Sequence, residues 1–122
     1  MKVTLLGTGS PLPDPLRAGP ATLVEAGGRQ LLFDCGRGVL MRLAAAGLPT
    51  PALLHATYLT HLHSDHTTDF NDVVTTRWIT SPVEAPLRVV GPVGTEAFAE
   101  RTLAMLRDDI EYRITHHEDL RW

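Results

Sequence analysis

Along the chain, apolar positions fall into short runs separated by glycine and proline. Val3–Leu6 predicts a short buried strand, stopped by Gly7-Thr8-Gly9-Ser10. Pro11, Pro13, Pro15, Gly19 and Pro20 make residues 7–20 an irregular loop, long for a compact domain and therefore a candidate for function. Ala21–Glu25 and Gln30–Phe33 are β-rich segments joined by Ala26-Gly27-Gly28-Arg29, the pattern of a hairpin. From Gly38 to Ala46 the apolar residues Val39, Leu40, Leu43 and Ala44 share one helical stripe, and Gly47 supplies a C-terminal cap.

Leu48-Pro49-Thr50-Pro51 then breaks the chain. Leu53–Thr60 predicts the next strand, which delivers the chain into His61-Leu62-His63-Ser64-Asp65-His66. Phe70, Val73, Val74 and Ile79 predict a helix from about Thr68, with the Thr67 or Thr68 hydroxyl as its cap. Ser81–Pro86 is a linker, and Leu87–Val90 is a strand ended by Gly91-Pro92. Thr95–Asp109 predicts the longest helix, with Phe98, Thr102, Met105, Leu106 and Ile110 along one side; Glu111–Trp122 reads as a strand. This order predicts an α/β (α+β) fold with antiparallel strands first, as one unit over residues 1–122. A pattern that stops on a polar strand reads as part of a larger domain. An open half of that kind favours self-association, so a homo-oligomer is expected.

Composition acts mainly by exclusion. With 43% hydrophobic and 20% charged residues the chain is ordinary globular material, and disorder and low complexity are set aside. Eleven Lys+Arg against fourteen Asp+Glu give −3. No bulk electrostatic footprint for nucleic acid follows, and only a local basic patch is left to provide one. The single cysteine, Cys35, excludes an intramolecular disulfide and fits a reducing compartment. Gly7 follows Met1–Leu6 at once, too soon for a signal-peptide core, and no apolar run approaches the ~20 residues that span a bilayer. The expectation is a soluble, cytoplasmic protein without a membrane partner.

Three of the six histidines and an aspartate fall within six positions, His61–His66. Imidazole with carboxylate suits zinc, manganese or iron rather than calcium, which takes oxygen ligands. In an extended stretch His61 and His63 project to one side and can grip one ion. If the backbone then turns into a helix, Asp65 and His66 swing round to a second. Two metals ~3.5–4 Å apart can share a bridging hydroxide, and binding brings water's pKa to ~7. Ser64 lacks the glycine elbow of a hydrolase serine. Gly7-x-Gly9 fails the dinucleotide fingerprint because position 12 is Leu12.

The His61–His66 segment, preceded by an apolar strand and Thr60, resembles the H-x-H-x-D-H signature of metallo-β-lactamase-fold hydrolases. Leu32-Phe33-Asp34-Cys35-Gly36 resembles that family's first motif. Leu5-Leu6-Gly7-Thr8-Gly9-Ser10-Pro11 and Pro86-Leu87-Arg88-Val89-Val90-Gly91-Pro92 resemble its ribonuclease Z and arylsulfatase-like branch. The resemblance implies an αββα sandwich of two similar halves, of which this chain supplies about the first. It implies a zinc-dependent hydrolase of ester bonds, with two ions per complete site. His61 and His63 would hold one ion, Asp65 and His66 the other, and Asp65 would also take a proton from the nucleophile. A ribonuclease Z-like phosphodiesterase acting on RNA is the leading expectation; a small phosphodiester, an aryl sulfate ester or a lactone is the rival substrate. A truncated, non-catalytic fragment is the reading from a different class.

The family's third histidine, bridging aspartate and last histidine come later in its chains. His116-His117 reads as a surface pair rather than as that third histidine, because Glu118-Asp119-Leu120-Arg121 follows where the family has small residues. Asp34 reads as an orienting partner for a metal-ligating histidine, or as a turn-capping residue. Cys35 reads as a small buried hydrophobe and His55 as a satisfied mid-strand histidine. Trp78 reads as a core or interface residue beside Arg77. Arg17 is placed in a solvated loop or against an anionic substrate.

Overall fold

Three strands, Lys2–Gly7 (β1), Ala21–Ala26 (β2) and Arg29–Phe33 (β3), form an antiparallel meander in the computed structural model, which describes residues 1–120. Gly27 and Gly28 both take positive φ, the two-residue turn that matches the twist of the β2–β3 hairpin. An irregularity between Leu5 and Gly7 turns Leu6 into the core. Ala56–Tyr58 (β4) lies parallel to β3, and Val89–Val90 (β5) parallel to β4, so the sheet runs β1-β2-β3-β4-β5.

One face of the sheet buries Ala21, Leu23, Leu32 and Thr57 under the helices. Val39–Ala45 (α1) contributes Val39 and Leu43, and Phe70–Thr80 (α3) contributes Phe70 and Val73. Helix α1 ends as Gly47 predicts. Gly47 sits at φ 91°, and Leu48 N–H reaches the Leu43 carbonyl at 2.9 Å. The other face carries Val3 and Leu5, both exposed, and a stacked Phe33–Tyr58 pair 4.8 Å apart. A sheet apolar on both faces is what a second layer on that side requires.

The proline-rich loop is pinned at its base. Gly9 N–H donates to the Ala18 carbonyl (2.8 Å), Gly19 N–H to Arg37 (2.9 Å) and Gly36 N–H to Pro20 (3.0 Å). Gly19 and Gly36 pack backbone against backbone. A Cβ on Gly36 would lie 2.6 Å from the Pro20 oxygen, and one on Gly19 2.6 Å from the Arg37 nitrogen.

Several sequence expectations are corrected. The Leu53–Thr60 strand shrinks to Ala56–Tyr58, because Pro51–Leu53 is a 3-10 turn capped by the Thr50 side chain and residues past Tyr58 leave the sheet. The helix expected from Thr68 starts earlier and is split into Ser64–Thr67 (α2) and α3 by Asp69, at φ −103° and ψ 20°. Neither threonine caps it. Thr67 and Thr68 donate back to the His63 and Ser64 carbonyls.

The expected Thr95–Asp109 helix ends at Met105, and Arg107–His116 forms a separate helix. These are α4 (Thr95–Met105) and α5 (Arg107–His116). The expected Glu111–Trp122 strand is thus helical to His116, with a 3-10 turn at Glu118–Leu120; Arg121 and Trp122 lie outside the described residues. Alternation of Ile110, Tyr112 and Ile114 imitates a strand. Asp108 and Asp109 in the first turn and an Asp109–Arg113 ion pair of 2.8 Å favour the helix instead.

Candidate metal centre

The site sits where β3 and β4 release the chain side by side. Asp34 follows β3 with φ 64°, a left-handed conformation that aspartate tolerates better than most residues. Its N–H donates to the Tyr58 carbonyl at 2.8 Å, which ties the two strand ends together. Its buried carboxylate then points across to the segment after β4. It accepts the Thr60 N–H (2.8 Å), the Thr60 hydroxyl (3.0 and 2.8 Å to the two oxygens) and His66 Nδ1 (2.8 Å).

These bonds assign the ring protons. Asp34 accepts only, so His66 carries its proton on Nδ1 and leaves Nε2 free. The Thr60 hydroxyl spends its hydrogen on Asp34 and offers a lone pair to His61 Nδ1 at 3.0 Å. His61 is therefore also protonated on Nδ1, with Nε2 free. One carboxylate sets two histidines, the second through a threonine.

The two bare Nε2 atoms each face a neighbour: His61 Nε2 accepts from His63 Nδ1 at 3.1 Å, and His66 Nε2 lies 3.7 Å from Asp65 Oδ2. The His61 and His66 rings adjoin, with centroids 4.1 Å apart. Two imidazole nitrogens on one tetrahedral zinc, each at ~2.0–2.1 Å, stand about 3.3 Å apart. The His61–His63 pair fits that spacing, and the nitrogen and carboxylate donors fit the ion. The four side chains form two adjoining pairs. Among the described residues, no three His, Cys, Asp or Glu side chains already form a single ligand set.

The backbone around the cluster is strapped down. Cys35 N–H donates to the His66 carbonyl (2.7 Å), Asp69 N–H to the Cys35 carbonyl (3.0 Å), and Gly38 N–H to Asp69 Oδ2 (2.6 Å). Cys35 is fully buried. Burial first, then the Asp34 and Asp69 charges, pushes its thiol far above the ordinary range, which leaves it neutral and unfit as a ligand.

Other singled-out residues stand apart. His55 Nδ1 accepts the Gln30 N–H at 3.1 Å. His116 ends α5 and His117 follows it. Both are exposed, and neither bonds to the cluster among the described residues. Ser64 opens α2 at the surface. Arg77 is buried, and its guanidinium donates to the carbonyls of Pro51, Ala52, Leu54 and Ala85. Sequence reasoning passed over Thr60 and Asp69 as functional residues. The one signal for Thr60 is a hydroxyl directly before the first histidine.

A protein-family model described as "Anti-Pycsar protein Apyc1" matches residues 1–104. The chain belongs to this family. It is 59% identical over 122 residues to a ribonuclease Z of Mycolicibacterium paratuberculosis and 57% identical to one of Mycobacterium avium, covering 98% of this chain and 43% of each relative. The chain thus spans less than half the length of these curated relatives. Among solved structures, the short form of human tRNase Z superposes with a TM-score of 0.78 at 34% identity, over 88% of this chain and 41% of that one. A metallo-β-lactamase-fold protein from Bacillus subtilis gives 0.69 at 29% identity, over 80% and 40%. The resemblance drawn from the motifs therefore holds: this is the N-terminal part of a metallo-β-lactamase-fold domain of the ribonuclease Z branch.

Proposed function

We propose that the protein is a metal-dependent hydrolase of phosphodiester bonds, ribonuclease Z-like, with RNA as its substrate and two zinc ions in each complete site. The observation that carries this is the tautomer control. Asp34 and Thr60 leave the Nε2 atoms of His61 and His66 unprotonated beside His63 Nδ1 and Asp65 Oδ2. Similarity to proteins named ribonuclease Z supports the substrate class.

His61 and His63 would hold one ion, and Asp65 and His66 the other; manganese or iron suits the same donors. When bound, zinc would lower the pKa of water toward neutral and would act as a Lewis acid on the ester oxygen. Asp65, which lines a narrow pocket with Ser10, Arg17 and Arg37, would also serve as the proton acceptor for the attacking nucleophile. Buried Asp34, with Thr60 at the surface beside it, keeps the histidine donors aimed through the cycle. The family's remaining histidine, bridging aspartate and last histidine are proposed to lie in the part of the relatives that this chain does not span. A lone buried thiol supports a cytoplasmic setting.

A second reading, hydrolysis of a small phosphodiester, sulfate ester or lactone, is favoured by the net charge of −3 and by a family description that names no ribonuclease. The test uses the full-length protein loaded with zinc. Two zinc ions per subunit are expected, with faster cleavage of an RNA precursor than of aryl sulfate or lactone. Asp65→Asn should lower turnover by ~10²-fold or more with little change in melting temperature. Near-normal turnover by Asp65→Asn would remove Asp65 from the chemistry, and preference for the small ester would select the second reading.

A further inference from the structure

A second cleft opens beside the candidate metal centre. It has a volume of about 410 Å³ and lies between the proline-rich loop and α1, lined by Arg17, Arg37 and Arg42 with Asp14 and Met41. Arg17 and Arg37 also line the narrow pocket that reaches Asp65 and Thr68. Two arginines thus wall both the cleft and the narrow pocket at Asp65.

We propose that this arginine cleft holds a non-scissile backbone phosphate of the nucleic-acid strand whose neighbouring phosphodiester lies at the metal centre. The proposal rests on the phosphodiesterase reading and extends it to substrate binding. All three arginines are exposed residues, and among the described residues none has a hydrogen-bonded or ion-paired side-chain partner. The side-chain pairs of the described basic residues lie elsewhere, as in Lys2–Glu25 and Arg113–Asp109. Three unpaired cations in one concavity repel each other, and an anion relieves that repulsion. The one lining carboxylate, Asp14, whose Oδ1 accepts the Leu16 N–H at 2.8 Å, offsets one of the three charges and leaves the cleft net positive.

The chemistry selects phosphate. Guanidinium presents a planar fork of donors that matches phosphate oxygens. The volume falls in the range of pockets that admit a nucleotide-sized group. The mounting is firm, since the Gly19–Arg37 and Gly36–Pro20 backbone bonds fasten the Arg17 loop to the turn that carries Arg37. A chain of net charge −3 thus concentrates positive charge at the position where a strand passing the metal centre would run.

The test uses full-length protein stripped of metal by chelation, so that RNA binds without being cut. Fluorescence anisotropy of a short single-stranded RNA is followed against salt for the unmodified protein, Arg37→Gln, Arg42→Gln and the double variant. Each single change should reduce the slope of log K against log salt by about 0.7, and the double variant should bind roughly tenfold more weakly. Arg37→Lys with Arg42→Lys should restore the slope, which separates charge from packing. An unchanged slope and affinity in the double variant would overturn the proposal. So would failure of the unmodified protein to bind RNA, or competition by inorganic phosphate as strong as that by the strand. Turnover of a bis-aryl phosphodiester by the zinc-loaded unmodified protein is read separately. No turnover there, with the arginine-dependent slope intact, refutes the hydrolase reading and supports the cleft; turnover with no arginine dependence does the reverse.

Discussion

Replacing Asp34 with asparagine isolates the tautomer control from the fold. Asparagine keeps the shape and tolerates the left-handed backbone at φ 64°. The carboxylate now accepts from Thr60 N–H, from the Thr60 hydroxyl and from His66 Nδ1. An amide has one oxygen and one NH2. With its oxygen on Thr60, the NH2 donates to His66 Nδ1 and moves the ring proton to Nε2, the atom 3.7 Å from Asp65. The opposite flip sets the NH2 against the Thr60 N–H and leaves that donor unpaired, at roughly 1–3 kcal/mol, so the first orientation prevails.

An Nε2 that carries a proton has no lone pair for an ion. Loss of an orienting partner costs ~10–100-fold in metal affinity, or about 1.4–2.7 kcal/mol. Stability falls less. Exchanging charge-assisted bonds for neutral ones is largely offset by no longer burying a carboxylate, for a net loss on the order of 1 kcal/mol. The assay is zinc competition against a chromophoric chelator on the full-length protein, with histidine tautomers read by long-range nitrogen–proton NMR on the metal-free form. Zinc affinity within twofold of the unmodified protein, or a His66 proton still on Nδ1, would refute the reasoning.

Arg77→Met should cost about 3 kcal/mol in urea unfolding, because it strands carbonyls around Pro51, Leu54 and Ala85 in buried surroundings; a loss under 1 kcal/mol would show that water replaces the guanidinium. Burial holds the Arg77 pKa below its ordinary value, yet the group stays charged at neutral pH. Gly36→Ala should lower stability by about 3 kcal/mol or more, since its Cβ would strike the Pro20 backbone; a melting temperature unchanged from the parent would contradict the packing. Cys35 gives a pH dependence. Its folded thiol titrates far above the unfolded value of ~8.5, so the unfolded state sheds the proton first, and stability should fall by about 1.4 kcal/mol per pH unit above about pH 9. The slope should disappear in Cys35→Ala, and alkylation at pH 8 should require denaturant.

Local signals carried most of the strands and α1. Gly27-Gly28 and Gly47 fix a turn and a cap through their own φ values, and no distant contact is needed to read them. The H-x-H-x-D-H cluster was legible for the same reason, being six adjacent positions. Its support was only half legible. Asp34 could be suspected at a strand end, but its bonds to Thr60 and His66 close over 26 and 32 residues of sequence. The burial of Arg77 was invisible, because four carbonyls from two separate segments supply its partners. The α4–α5 break and the helix after it failed on period. Ile110, Tyr112 and Ile114 alternate as a strand does, and charge placement in the first turn overrode that pattern.

The pinned base of the proline-rich loop separates what can vary from what cannot. The Gly9–Ala18 bond closes residues 10–17 into a lobe whose two ends are fixed to each other, while Gly19, Pro20 and Gly36 carry the attachment to the β3 turn. A change of length inside that lobe is absorbed at the closure, and doubling a flexible segment costs only ~0.6 kcal/mol in loop entropy. The lobe is thus an evolutionary module. Insertions and deletions between Ser10 and Arg17 can reshape the wall of the cleft without shifting Asp34 or the histidines across from it. Length and sequence in that lobe are free to drift while Asp34 and the strand ends it ties together keep their places.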